Sequence, residues 1–205
     1  TPPRLDRLQA DLPPPVWEQA ARLAALGIPS DTRAALELSP RLPLFERMVE
    51  ELHVDPTLAA VVLARQLTAL RRAGYAVAHL SDDLLYAALA AVVDGRLARE
   101  GLPLVLAHLL RHDCCTADPA ASVAHALVQL GIAPLDDTGL DAEVAAALAA
   151  ADASRFPTTA KLQRYVMGTL MRRLAGRVPG GRVAERLGQV LARGRAGDIP
   201  VRVHS

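Results

Sequence analysis

A cluster of basic side chains surrounds a glycine in the segment KLQRYVMGTLMRRLAGRVPGG, residues 161–181. The segment is typical of a helix that ends in a Pro-Gly-Gly turn, although glycine inside a helix costs about 1 kcal/mol relative to alanine. At 100° per residue, one face of this helix spans an arc of about 80° with a tyrosine at its border. That face consists of Lys161, Arg164, Tyr165, Gly168 and Arg172. Because cationic side chains bind phosphates, we predict a polyanion-binding face on which Gly168 permits close approach to the backbone.

The opposite face of the predicted helix is apolar. It carries Leu162, Val166, Leu170 and Leu174 at i, i+4 spacing, which suits packing in a small helical core. Gly176 is placed to end the helix, and the N–H groups that open the next helix are predicted to form a second phosphate site. The further predicted binding residues are Arg173, Gly176, Arg177, Gly180, Gly181 and Arg182. The alternative is that the arginines only solubilise the surface and that Gly168 serves helix packing.

Other groups of reactive residues do not form a site. His108, His112, Cys114 and Cys115 resemble a metal-ligand cluster, but adjacent cysteines rarely face one metal, so we predict no metal site. Two acidic pairs, Asp82-Asp83 and Glu50-Glu51, suit a helix start and a solvated helix face. Since phosphate-binding, dinucleotide-binding and nucleophile-elbow motifs are also missing from the sequence, we predict no catalytic residue and no cofactor.

The elements that position the basic face are predicted to be helices. The chain has 205 residues, of which 51% are hydrophobic and only 3% aromatic, and it is rich in Ala, Leu and Arg. Two cysteines make no disulfide framework, and no apolar run approaches the roughly 18 residues of a membrane span, so we expect a cytoplasmic protein that does not enter a membrane. Its opening on Thr-Pro-Pro rather than Met suggests a piece of a longer polypeptide.

The predicted organisation is an all-α body followed by a small three-helix tail. Residues 1–15 hold five prolines and are predicted to be an extended linker, with Trp17 as its packing anchor. Residues 16–133 form the predicted body, and the polar, turn-forming segment 132–139 is the predicted boundary. Residues 140–205 form the tail. The predicted helices cover 17–26, 44–52, 57–74, 82–95, 99–112, 119–131, 140–153, 158–175 and 181–194.

The small net charge of +1 conceals a strong asymmetry along the chain. Residues 1–154 carry 12 basic and 20 acidic side chains, whereas residues 155–205 carry 11 basic and 2 acidic ones. Such an asymmetry favours a polyanion-binding end over a uniformly solvated surface. Coding bias would also raise the proportion of arginine, but the clustering does not depend on it.

The motif YVMGTLMRRLAGRVPGGRVAERL resembles the tail of the B and E subunits of tRNA-dependent amidotransferases and of the related YqeY proteins. Gly168 matches the family glycine, Met171 the methionine, Arg172 a lysine and Gly176 the glycine before the turn. Thr169 and Leu170 depart from the usual Gln and Val. Upstream, the segments PPPVWE, LFERMVEELHVDPTLAAVVLARQL and LTALRRAG resemble the helical region of the E-type protein, so that the resemblance covers most of 13–195.

This resemblance implies a GatB/YqeY-like fold that binds tRNA around its outer corner through the basic residues named above. Because the β-rich catalytic region of the amidotransferase subunits is missing from this sequence, our leading hypothesis is the domain appended to a glutaminyl-tRNA synthetase, a ligase. There it would raise the affinity for the glutamine tRNA, covalently linked to a synthetase catalytic domain upstream. The alternatives are the tail of an amidotransferase B- or E-type subunit, and a helical DNA-binding or protein-interaction module.

Overall fold

The computed structural model describes residues 16–112 and 118–196. Over these two ranges the fold is all-α, as predicted, and no strand is formed. None of the helices there has the length and apolarity to cross a membrane. The predicted linker at residues 1–15 lies outside the described residues, and Trp17, its proposed anchor, is 74% exposed.

Eleven α-helical segments and one π-helical segment make up the described residues, together with short 3-10 turns. The segments are α1 Val16–Ala25, α2 Ser30–Glu37, α3 Leu42–Glu51, α4 Pro56–Ala60, the π-helical segment Val61–Gln66, α5 Leu67–Arg72, α6 Asp82–Val93, α7 Leu102–His112, α8 Pro119–Gln129, α9 Asp137–Ala150, α10 Thr159–Leu174 and α11 Gly180–Ala196. The sequence did not predict α2 or the π-helical segment. Helix α2 has only eight residues between Pro29 and Pro40, too short for a clear hydrophobic period, and it forms because packing buries Thr32 and Leu36.

The described residues divide into two compact units, one ending at Leu89 and the other beginning at Ala90. In the first unit α2 packs against the π-helical segment and α3 against α4. Leu36, Phe45, Met48 and Leu85 are fully buried there.

In the second unit α9, α10 and α11 pack against one another around a shared core. The buried residues of that core are Leu140, Val144, Ala147, Ala151, Val166, Leu170, Leu174, Val178, Val183 and Leu187. Residues upstream of the predicted boundary belong to the same unit, because the N–H of Ala98 donates to the carbonyl of Gly176 at 2.8 Å. The predicted division into 16–133 and 140–205 therefore stays a prediction beside a structural division that falls after Leu89.

Candidate nucleic-acid interface

Helix α10 carries the basic face and is fixed by its cap and its core side. Thr158 is the N-cap residue, and its side-chain oxygen accepts a hydrogen bond from the N–H of Lys161 at 3.3 Å. Val166, Leu170 and Leu174 are fully buried, and Leu162 packs at the edge of the same core. Burial of this apolar row sets the rotation of the helix, so that the residues on the opposite side face solvent.

The solvent face of α10 holds three exposed cations around a glycine. Lys161, Arg164 and Arg172 are exposed, and none of them forms an ion pair with another described residue. A Cβ added at Gly168 would meet no atom within 4 Å outside the helix itself. Gly168 is therefore not required for packing, although alanine would favour the helix by about 1 kcal/mol.

Hydrogen bonds along the helix hold part of this face in place. The hydroxyl of Thr169 donates to the carbonyl of Tyr165 at 3.2 Å. The guanidinium of Arg172 in turn donates to the hydroxyl of Thr169 at 3.3 Å. Tyr165 itself is 52% exposed. The guanidinium of Arg172 thus lies along the helix surface beside Thr169.

Other arginines of the tail are bound to acidic residues of α9. Arg173 forms an ion pair with Glu143 at 3.0 Å, and Arg182 pairs with Asp137. Arg186 makes a two-pronged contact with the carboxylate of Asp141. Of the predicted binding residues, Arg173 and Arg182 thus stabilise the three-helix packing in this structure, since each pairing joins α9 to another helix.

The Arg186–Asp141 contact shifts both ionisation equilibria. Hydrogen bonds from Arg186 lower the pKa of Asp141 below its usual range. The same hydrogen bonds to Asp141 raise the pKa of Arg186. Both shifts favour the charged pair.

Asp141→Asn is expected to lower stability near neutral pH and to have little effect in strong acid. A lowered folded-state pKa stabilises the fold above the unfolded value of about 3.9, and this contribution is lost as the pH falls through the lower folded value. Urea unfolding followed by circular dichroism between pH 2 and 7 measures the difference between the two proteins. When Arg186 is first replaced by Gln, the stability difference caused by Asp141→Asn should no longer depend on pH. If the difference still varied with pH in the same way, Arg186 would not be the cause of the lowered pKa of Asp141.

Gly176 is buried and serves close packing at the end of α10. Its φ of +84° is the left-handed conformation that favours glycine and ends the helix, as predicted. A Cβ built on Gly101 would come within 2.4 Å of the Cα of Gly176. The two backbones therefore touch, which leaves Gly176 no room for a direct contact with a ligand.

The start of α11 differs from the open anion site that was predicted. The N–H of Gly180 donates to Oε1 of Glu100 at 3.1 Å, so that the chain's own carboxylate already occupies this position. Arg177 is half-buried and donates to the carbonyl of Ala133 at 3.4 Å. Gly181 is exposed, and a Cβ there would meet nothing within 4 Å.

Two residues that could read DNA bases from α11 are bound to neighbours. Arg186 is held by Asp141, and its Nη1 also donates to the side-chain oxygen of Gln189 at 3.0 Å. The amide of Gln189 donates to Glu185 at 3.2 Å. These contacts disfavour α11 as a recognition helix, because Arg186 and Gln189 are already hydrogen-bonded within the protein.

Several of the remaining candidate residues contact other side chains. Asp82 and Asp83 pair with Arg41 and Arg47, at 3.2 and 3.0 Å. The hydroxyl of Tyr86 donates to Glu51 at 2.9 Å. The rings of His108 and His112 lie 4.3 Å apart, and the residues described contain no group of three or more potential ligands that could hold a metal. Cys114 and Cys115 lie outside the described residues.

Sequence reasoning missed the residues that restrict the site. Glu100 and Gly101 lie in the short REG segment, which carries no motif, and Phe156 was not connected with Tyr165. The acidic residues of α9 were visible as Asp137, Asp141 and Glu143, and their alternation with apolar residues is the signal that could have suggested pairing with a basic helix.

Comparison with curated proteins finds similarity to one kind of protein, the E subunit of glutamyl-tRNA(Gln) amidotransferase. The chain is 42% identical over 80 residues to that of Haloarcula marismortui, over 39% of this chain and 13% of the relative. It is 34% identical over 121 residues to the E subunit of Natronomonas pharaonis, an alignment that covers 59% of this chain and 17% of the relative. For the E subunit of Methanopyrus kandleri the identity is 30% over 107 residues, which are 52% of this chain and 17% of the relative. The chain thus spans less than a fifth of the length of these relatives. No family model and no solved structure matches it.

Proposed function

We propose that this chain is the tRNA-contacting tail region of a B- or E-type subunit of a tRNA-dependent amidotransferase. The relatives described above are all E-type amidotransferase proteins, which supports this interpretation over the appended domain of a glutaminyl-tRNA synthetase. The region binds tRNA and performs no chemical step itself. Its contribution is to hold the tRNA at a high effective concentration beside a catalytic region elsewhere in the enzyme.

The observation that carries this proposal is the solvent face of α10. Lys161, Arg164 and Arg172 lie on one side of a rigid helix, and none is neutralised by a described carboxylate. Gly168 lies among them with open space above it. Cations fixed on a helix contact phosphates without reading base sequence, and the missing side chain lets the RNA backbone approach the helix.

The experiment compares two glycines that differ in position but not in packing. Gly168 in α10 and Gly188 in α11 are both helical, and a Cβ on either meets nothing within 4 Å. Gly168→Leu should weaken binding of an unmodified glutamine tRNA transcript by at least about tenfold, because the side chain blocks close approach, whereas Gly188→Leu should not. Fluorescence anisotropy measures both affinities, and circular dichroism should show helicity equal to or above that of the original chain.

Two results would contradict the proposal. Equal tRNA affinities of the two variants would show that the tRNA does not approach the helix at Gly168. Tighter binding of a DNA duplex of matched charge than of the tRNA would instead favour the DNA-binding module.

A further inference from the structure

An aromatic pair lies at the N-terminal half of the basic face. The rings of Phe156 and Tyr165 have their centroids 5.0 Å apart, with their planes tilted by 40°. Phe156 is partly buried in the segment before α10, whereas Tyr165 is 52% exposed. The pair is thus anchored at one ring and open to solvent at the other.

The helix leaves the Tyr165 ring uncovered. Side chains of a helix lean toward its N-terminus, so that the residues three and four positions later cover a given residue. Those positions are Gly168, which has no side chain, and Thr169, whose hydroxyl is turned back to the carbonyl of Tyr165. A large exposed aromatic ring therefore stands beside an empty space on the helix surface.

Cations flank this ring within one turn of the helix. Lys161 lies one turn before Tyr165 on the same face, and Arg164 is its immediate neighbour. A base stacked on the tyrosine would hold its own phosphate close to these two side chains. Every base has a π-face, and stacking on aromatic side chains is how proteins hold unpaired nucleotides.

We propose that Tyr165, supported by Phe156, is a stacking site for one unpaired nucleotide of the bound RNA. This inference rests on the proposed RNA-binding function and extends it: Lys161, Arg164 and Arg172 hold phosphates of any RNA, and Tyr165 selects an RNA with an unstacked base beside them. A fully paired RNA fills only the phosphate contacts.

The test uses the full chain and two RNA hairpins with the same stem. One carries a single unpaired adenosine, replaced by 2-aminopurine for fluorescence, and the other is fully paired. A non-nucleotide linker closes both stems, so that the second hairpin offers no unpaired base. The original chain should bind the first hairpin about 5- to 150-fold more tightly, the range for one base–aromatic stack. The 2-aminopurine fluorescence should be quenched on binding.

Three variants separate stacking from other roles of the tyrosine. Tyr165→Ala should abolish both the preference for the hairpin with the unpaired base and the fluorescence quenching. Tyr165→Phe should keep both, since the ring remains. Tyr165→Leu keeps an apolar contact with Phe156, so that its loss of preference would not be due to unfolding. Trp17→Ala is the matched control, because Trp17 is an exposed aromatic residue of the first unit.

The outcomes distinguish the stacking site from the proposed RNA-binding function on which it rests. Binding of both hairpins with equal affinity, or a preference that survives Tyr165→Ala, would overturn the stacking site while leaving RNA binding by the α10 face intact. Absence of binding to either hairpin and to tRNA would overturn both.

Discussion

Replacing Gly101 with alanine is expected to destabilise the second unit by about 3 kcal/mol, at the upper end of the usual range for overpacking. The added Cβ would lie 2.4 Å from the Cα of Gly176 and 2.8 Å from a methyl group of Leu97. The leucine side chain can rotate away, but the backbone at Gly176 cannot move freely. It is fixed by the hydrogen bond from Ala98 and by its position at the end of α10.

Thermal unfolding followed by circular dichroism measures this effect. A change of about 3 kcal/mol in a chain of this size corresponds to a Tm lower by roughly 6–12 °C. Gly188→Ala is the matched control within the same unit, because its Cβ meets no atom within 4 Å and its helix gains propensity. We expect the control to unfold at the same or a slightly higher temperature.

Gly176→Ala would combine two unfavourable effects, whereas Gly101→Ala tests the close approach of the two backbones alone. Its Cβ would lie 3.0 Å from a methyl group of Ile132 and 3.1 Å from the Cα of Gly101. It would also force alanine into a positive φ of 84°. A Gly101→Ala protein that unfolds at the original temperature would show that the two backbones are not held together in solution.

The amphipathic pattern of α10 was enough to predict its core face from sequence. Val166, Leu170 and Leu174 repeat every four residues, and all three are fully buried. Such local periodicity needs only the geometry of the helix. The open space at Gly168 agrees with the same pattern, because a residue opposite the apolar row faces solvent.

The sequence could not distinguish the arginines of the basic face from those that pair with carboxylates of α9. Arg182 and Asp137 are 45 positions apart, as are Arg186 and Asp141, so that each pairing depends on how α11 docks against α9. Glu100 reaches Gly180 across 80 positions. Composition and charge counts treat every arginine alike. They therefore assigned Arg173 and Arg182 to the binding face, although the structure pairs both with carboxylates of α9.

The narrower face makes a prediction about charge position. Replacing Lys161, Arg164 and Arg172 together with alanine would remove the three phosphate contacts proposed for this face. With about 0.7–0.9 of salt slope per contact, the slope of log K against log salt should become about 2–3 units shallower. The affinity for tRNA at 0.15 M salt should fall by roughly 50-fold or more.

The matched control removes the same charge from the first unit. Arg65, Arg71 and Arg72 are exposed, and none forms an ion pair with another described residue. Their replacement by alanine changes the net charge equally, and it should alter the affinity several-fold at most through the general field of the protein. Filter binding of the tRNA transcript across a salt series measures both triple variants.

If the control weakened binding as much as the α10 variant, the affinity would come from overall charge, and the face around Gly168 would have no particular role in binding. If only the α10 variant loses the salt slope, the position of these three cations on one helix accounts for binding.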